Sequence, residues 1–90
     1  MNTSRVVIRN IVLRGRRMRE RLCREYPGVC RAIRIAFGEK YELLDKLICP
    51  YCGRQYRYQA ALSHHIRRKH FAELMDDVDK VVELIKQRRR

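Results

Sequence analysis

Residues 49–70 read CPYCGRQYRYQAALSHHIRRKH, and the fold turns on how this stretch is read. Cys49 and Cys52 form C-x₂-C, twelve residues separate Cys52 from His65, and four separate His65 from His70. Two thiolates and two imidazoles at that C-x₂-C-x₁₂-H-x₄-H spacing complete the tetrahedron of a structural zinc site. Such a site leaves no open position for water or substrate. Tyr56 and Leu62 lie between the pairs, at offsets suited to a small core under the metal. His65 and His70 are five residues apart, about 140° beyond a full helical turn. The helix end must therefore tighten or distort before both rings can face one ion. Pairing His64 with His70 instead would strain the spacing and lose the Leu62 offset, so His65 is taken as the ligand and His64 as its outward neighbour.

From Cys49 to His70 the chain resembles the C2H2-type zinc finger, with Tyr56 and Leu62 at that family's aromatic and leucine core positions and Leu47 where an aromatic is common. The resemblance implies one structural Zn²⁺ held by Cys49, Cys52, His65 and His70. It also implies a ββα unit, with a hairpin around Leu47–Tyr56 and a helix from Gln59 to His70, and a role in DNA binding. The family's three base-reading positions fall here on Tyr58, Ala61 and His64, none of them the Arg, Asn or Gln that makes bidentate base contacts. A lone finger covers about three base pairs. The finger is thus expected to grip phosphates through Arg54, Arg57, Arg67, Arg68 and Lys69 rather than to read sequence. Tyr51 and Tyr58 are expected to pack against the hairpin, with stacking on unpaired bases as the alternative that makes Tyr58 a candidate nucleic-acid contact.

Charge supports a polyanionic partner. Lys and Arg number 22 against 10 Asp and Glu, a net +12, and seventeen of the 22 are Arg. Arginine's planar fork suits phosphate. Residues 1–34 carry ten Arg against Glu20 and Glu25, whereas residues 71–90 balance five against five. Arg14, Arg16, Arg17 and Arg19 join the finger's cations as candidate nucleic-acid contacts.

Outside the finger the pattern is helical. Residues 1–46 form an Arg-rich region with a short strand or extended segment over 5–13, where Val6, Val7, Ile8, Ile11 and Val12 are β-branched; a helix is the alternative, since Ile8, Ile11 and Val12 also fit a 3.6 period. Helices follow over 16–26 and 29–47, separated by Pro27-Gly28 and with a break available at Gly38. After the finger at 47–70, residues 71–90 are an amphipathic helix with a basic tail. Its stripe of Phe71, Leu74, Met75, Val78, Val81, Val82 and Ile85 would pack on 29–47 or pair two copies of the chain. The order strand, helix, turn, helix over 5–47 also faintly resembles a ribbon-helix-helix repressor, which would turn Arg5, Val7 and Arg9 toward bases. The fold class expected is thus small α+β, mostly helical: one ββα finger flanked by amphipathic helices.

Cys23 and Cys30 are expected to be buried small hydrophobes, with a disulfide or a second metal site as alternatives. No apolar run has the length of a membrane span and no signal peptide is visible. The setting expected is intracellular: cytoplasmic in a prokaryotic or viral context, nuclear in a eukaryotic one. A lone finger in a compact, Arg-rich chain suits an archaeal or viral source. Nothing points to an enzyme. The expected function is zinc-dependent nucleic-acid binding by a transcription regulator or architectural protein on DNA. An RNA-binding or ribosome-associated protein is the first alternative and a zinc-stabilised protein-interaction adaptor the second.

Overall fold

A computed structural model describes residues 2–88 as six helices: α1 (Asn2–Val12), α2 (Arg16–Glu25), α3 (Pro27–Phe37), α4 (Glu39–Asp45), α5 (Gln59–Lys69) and α6 (Phe71–Arg88). No sheet occurs among the described residues. The α+β expectation with its ββα finger is therefore overturned, and the domain is mostly helical.

The segment over 5–13 is helix, not strand. Its β-branched residues carry a weak strand propensity, but Ile8, Ile11 and Val12 also fall on one helical face. That face is buried in the core, each residue at most 5% exposed. Burial of such side chains is worth about 1.5–3 kcal/mol apiece, more than the few tenths separating helix from strand preference. The ribbon that a ribbon-helix-helix arrangement requires is thereby absent.

α2 ends at Glu25 and α3 opens with Pro27 at its first position, where the missing N–H costs nothing. Gly38, at φ 55° and ψ −127°, breaks the long apolar stripe into α3 and α4. An L-residue rarely adopts that conformation. Below α4 the chain turns sharply. Leu47 takes the left-handed conformation at φ 60°, the Ile48 N–H reaches the Leu43 carbonyl at 2.9 Å and the Leu47 N–H the Leu44 carbonyl at 3.1 Å. This is a Schellman stop with leucine where glycine is usual.

One core joins all parts of the chain. Ile8, Ile11 and Val12 of α1 meet Ala32, Ile33 and Phe37 of α3, Leu44 of α4, Leu62 and Ile66 of α5, and Leu74, Val78 and Val81 of α6. The α6 stripe thus faces inward against α1 and α3, as the packing expectation had it. Cys23 and Cys30 form a disulfide that ties α2 to α3 across the Pro27 turn, their Cα atoms 5.3 Å apart. They are not the free buried hydrophobes expected first; the disulfide alternative is the one that forms.

Candidate metal centre

The metal-ligand motif folds as a knuckle and a helix rather than a ββα finger. α4 occupies the residues that would precede a first strand, and the left-handed Leu47 ends any extended run. What remains of the hairpin is one antiparallel bridge between Ile48 and Gln55, bordered by Tyr56 N–H to Leu47 carbonyl at 2.8 Å. Inside it the Cys49 N–H donates to the Arg54 carbonyl and the Gly53 N–H to the Cys49 carbonyl, both at 2.8 Å. Gly53, at φ 81°, supplies the tight turn that sets both sulfurs on one side.

α5 supplies His65 from its body, and Leu62 and Ile66 anchor it in the core. His70 lies at the break between α5 and α6, with φ −132° and ψ 31° outside helical values. That local departure resolves the five-residue spacing: leaving the helix lets the His70 ring swing back toward His65. The two rings lie 5.1 Å apart, centre to centre.

Ligand atoms of Cys49, Cys52, His65 and His70 all fall within 4.8 Å of one another. Sγ of Cys52 is 3.3 Å from Nε2 of His65. Tetrahedral zinc, with bonds of about 2.0–2.3 Å, places its ligand atoms roughly 3.3–3.8 Å apart, so a small contraction closes the set. Nδ1 of His70 is 2.9 Å from a carboxylate oxygen of Glu73, which orients the ring and leaves Nε2 for a metal. The donor set and its support therefore fit zinc. Cys49 is fully buried, and burial pushes its thiol up. Cys52 is exposed, and backbone hydrogen bonding at Arg54, with help from His65, lowers its thiol to about 6. The Glu73 hydrogen bond raises His70. Thiolate is the form that binds metal, and Cys52 is already poised to supply it.

Aromatic residues brace the site. Tyr56 packs at 5.2 Å from the His65 ring and Tyr51 at 5.5 Å from His70. Tyr51 donates to buried Asp77, and its partly buried ring has His70 and Lys40 each 5.5 Å from its centre, so it serves a structural role. Tyr58 is 70% exposed and keeps a free face for a base.

The remaining candidate contacts divide. Arg14, Arg16, Arg17, Arg54, Arg57, His64, Arg67, Arg68 and Lys69 are exposed. Arg19 is not: it is 1% exposed, pairs with Asp45, donates to the Val12 carbonyl at 3.2 Å and lies 5.1 Å from the Tyr41 ring centre. It cannot reach a phosphate and belongs to the structural core. Tyr56, Ala61, His64, His65, Arg68 and Lys69 line a shallow depression beside the ligands.

With this geometry in place, one comparison is informative. Over 54 residues the chain is 41% identical to a protein of Acidianus two-tailed virus named "Putative zinc finger protein ORF98b". The match covers 60% of this chain and 55% of that relative, about half its length. No protein-family model matches the chain. No solved structure matches it. Similarity to that protein and a Cys₂His₂ cluster at ligand distance together support metal binding. No helix among the described residues is long and apolar enough to cross a membrane.

Sequence reasoning missed two residues that matter to the site. Glu73 carries an i+3 signal from His70, which spacing could have revealed. Asp77 has Lys80 three residues on, at 3.7 Å, but its link to the site had no such signal, because Lys40 and Tyr51 lie 37 and 26 residues away.

Proposed function

We propose that this chain binds one structural Zn²⁺ through Cys49, Cys52, His65 and His70, a C2H2 ligand set on a helical scaffold, and that it binds nucleic acid. DNA is the preferred partner. The observation that carries this reading is a set of exposed cations with few acids beside them. Of the eight exposed Arg and Lys candidates, only Arg16 has an acidic partner among the described residues, at 3.1 Å from Glu20. Unpaired guanidinium groups on a chain of net +12 are suited to phosphate. A four-ligand metal has no vacancy for substrate, so its role is to hold the knuckle against α5, and the protein's role is binding rather than catalysis.

RNA is the second reading. Tyr58, Ala61 and His64 offer little for duplex base readout, while the exposed Tyr58 ring suits stacking on an unpaired base. Docking of a protein through the apolar face of α6, or pairing of two chains through it, would require opening a core in which Leu74, Val78 and Val81 are at most 1% exposed.

Titration of duplex DNA, hairpin RNA and single strands at several salt concentrations tests this reading. A duplex preference that survives at physiological salt is expected. A strong hairpin preference would transfer the assignment to RNA, and binding that does not vary with salt would overturn the phosphate reading altogether.

A further inference from the structure

Two stretches of the chain are free of acid. Residues 1–19 contain six Arg and no Asp or Glu, and residues 46–72 contain four Arg, two Lys and no Asp or Glu. They are far apart in sequence, yet the fold joins them at one point. A Cβ on Gly15, at the start of α2, would lie 3.6 Å from Cγ of Gln59 at the start of α5. The joint is locked by side chains: Gln59 Nε2 donates to the Leu13 carbonyl at 3.0 Å, and Ser63 Oγ donates to the same oxygen at 2.6 Å. Gln59 also donates to Ser63 at 3.0 Å, so the three groups form a closed set.

We infer that this joint is the protein's nucleic-acid-gripping surface, a composite of two segments that neither could form alone. It rests on the binding role proposed above and specifies where binding occurs. Arg14, Arg16 and Arg17 flank Gly15, while Arg57 precedes Gln59 and Arg67 lies one turn beyond Ser63 on the same side of α5. All five are exposed. One acid, Glu20, pairs with Arg16 at 3.1 Å, and others are engaged away from these five arginines. Asp77 and Asp79 are occupied by Lys40 and Arg5, and Glu73 by His70. The partner is a phosphodiester backbone, and Gln59 and Ser63 act as positioning residues that fix the separation of the two sets of guanidinium groups.

The test compares two triple variants of the full chain in salt-dependent titrations against duplex DNA, hairpin RNA and a single strand. One carries Arg14→Gln, Arg16→Gln and Arg17→Gln. The other removes equal charge outside the joint, with Arg21→Gln, Arg24→Gln and Arg31→Gln. Zinc content and thermal melts establish that both are folded. The joint variant should lower the magnitude of the slope of log K against log salt by about 2–3, at about 0.7–0.9 for each of three lost contacts, while the control changes it by less than about 1. Ser63→Ala should weaken binding without changing the number of charges. Equal losses in both triples would show that charge acts diffusely and would overturn the composite surface. Absence of salt-dependent binding by the unaltered protein would instead remove the binding role itself. The nucleic acid showing the largest difference between the two triples identifies the source of the backbone.

Discussion

The phenol of Tyr51 donates a 2.7 Å hydrogen bond to Asp77, a carboxylate on α6 that is only 2% exposed. Lys40 of α4 closes on the same group with contacts of 2.9 and 3.1 Å. One buried charge therefore ties the metal knuckle, α4 and α6 together. Burial and this hydrogen bond push the Tyr51 phenol upward, so it remains a donor across the neutral range. Tyr51→Phe should cost about 1 kcal/mol, since Asp77 keeps Lys40. Asp77→Ala should cost about 2–3 kcal/mol, because it removes both bonds but leaves a lysine with partial access to water. Urea melts of the two variants and their double mutant measure the coupling, and strictly additive losses would refute a shared network.

Glu73 holds His70 through its Nδ1. Glu73→Gln should lower zinc affinity by roughly tenfold, within the range for losing an orienting group behind a metal ligand. Competition with a chromogenic chelator measures it. An unchanged affinity would show that the break between α5 and α6 alone sets the ring.

Cys52→Ser and His65→Ala should each abolish stoichiometric zinc binding, whereas His64→Ala should retain one zinc per chain. Chelation should expose the knuckle and α5 amides to hydrogen exchange before those of α3 and α6, whose packing against each other does not pass through the ligands. Retained stoichiometry in His65→Ala would shift the assignment to His64.

The Cys23–Cys30 bridge closes a short loop, with a separation of 7 residues. Chain entropy for a loop of that size gives a stabilisation of about 2.5 kcal/mol. Reduction, or paired Cys→Ser substitution, should lower the melting temperature accordingly. α2 should respond most, because Leu22 is its one partly buried hydrophobic packed on the core. A melt unchanged by reductant would mean that the remaining contacts of α2 hold it unaided.

Arg19 is the other tether of α2. Arg19→Met should cost about 1.5–3 kcal/mol, as expected for losing hydrogen bonds from a buried charge to Asp45 and the Val12 carbonyl. The methionine can still fill the volume beside Tyr41. Differential scanning calorimetry checks this, and a neutral result would show that desolvation of the guanidinium offsets its bonds.

The sequence alone determined the local features. Four ligands at fixed spacing, a distortion required at His70, a break at Gly38, a stop near Pro27 and the apolar stripe of α6 each depend on residues within a turn or two of one another. Short-range geometry can be read directly from order along the chain. Only the tertiary structure decided that Ile8, Ile11 and Val12 bury a helical face rather than a strand's, because that choice depends on what covers them. It also decided that α4 runs into the knuckle and leaves no room for a hairpin. Among the arginines, Arg19 looked like its neighbours until the fold placed Asp45 and Tyr41 around it. The acid-free stretches at either side of Gly15 and Gln59 were visible as composition, but their meeting was not. Polar partners are set by distance in space, and for this protein decisive ones lie 26 to 50 residues away.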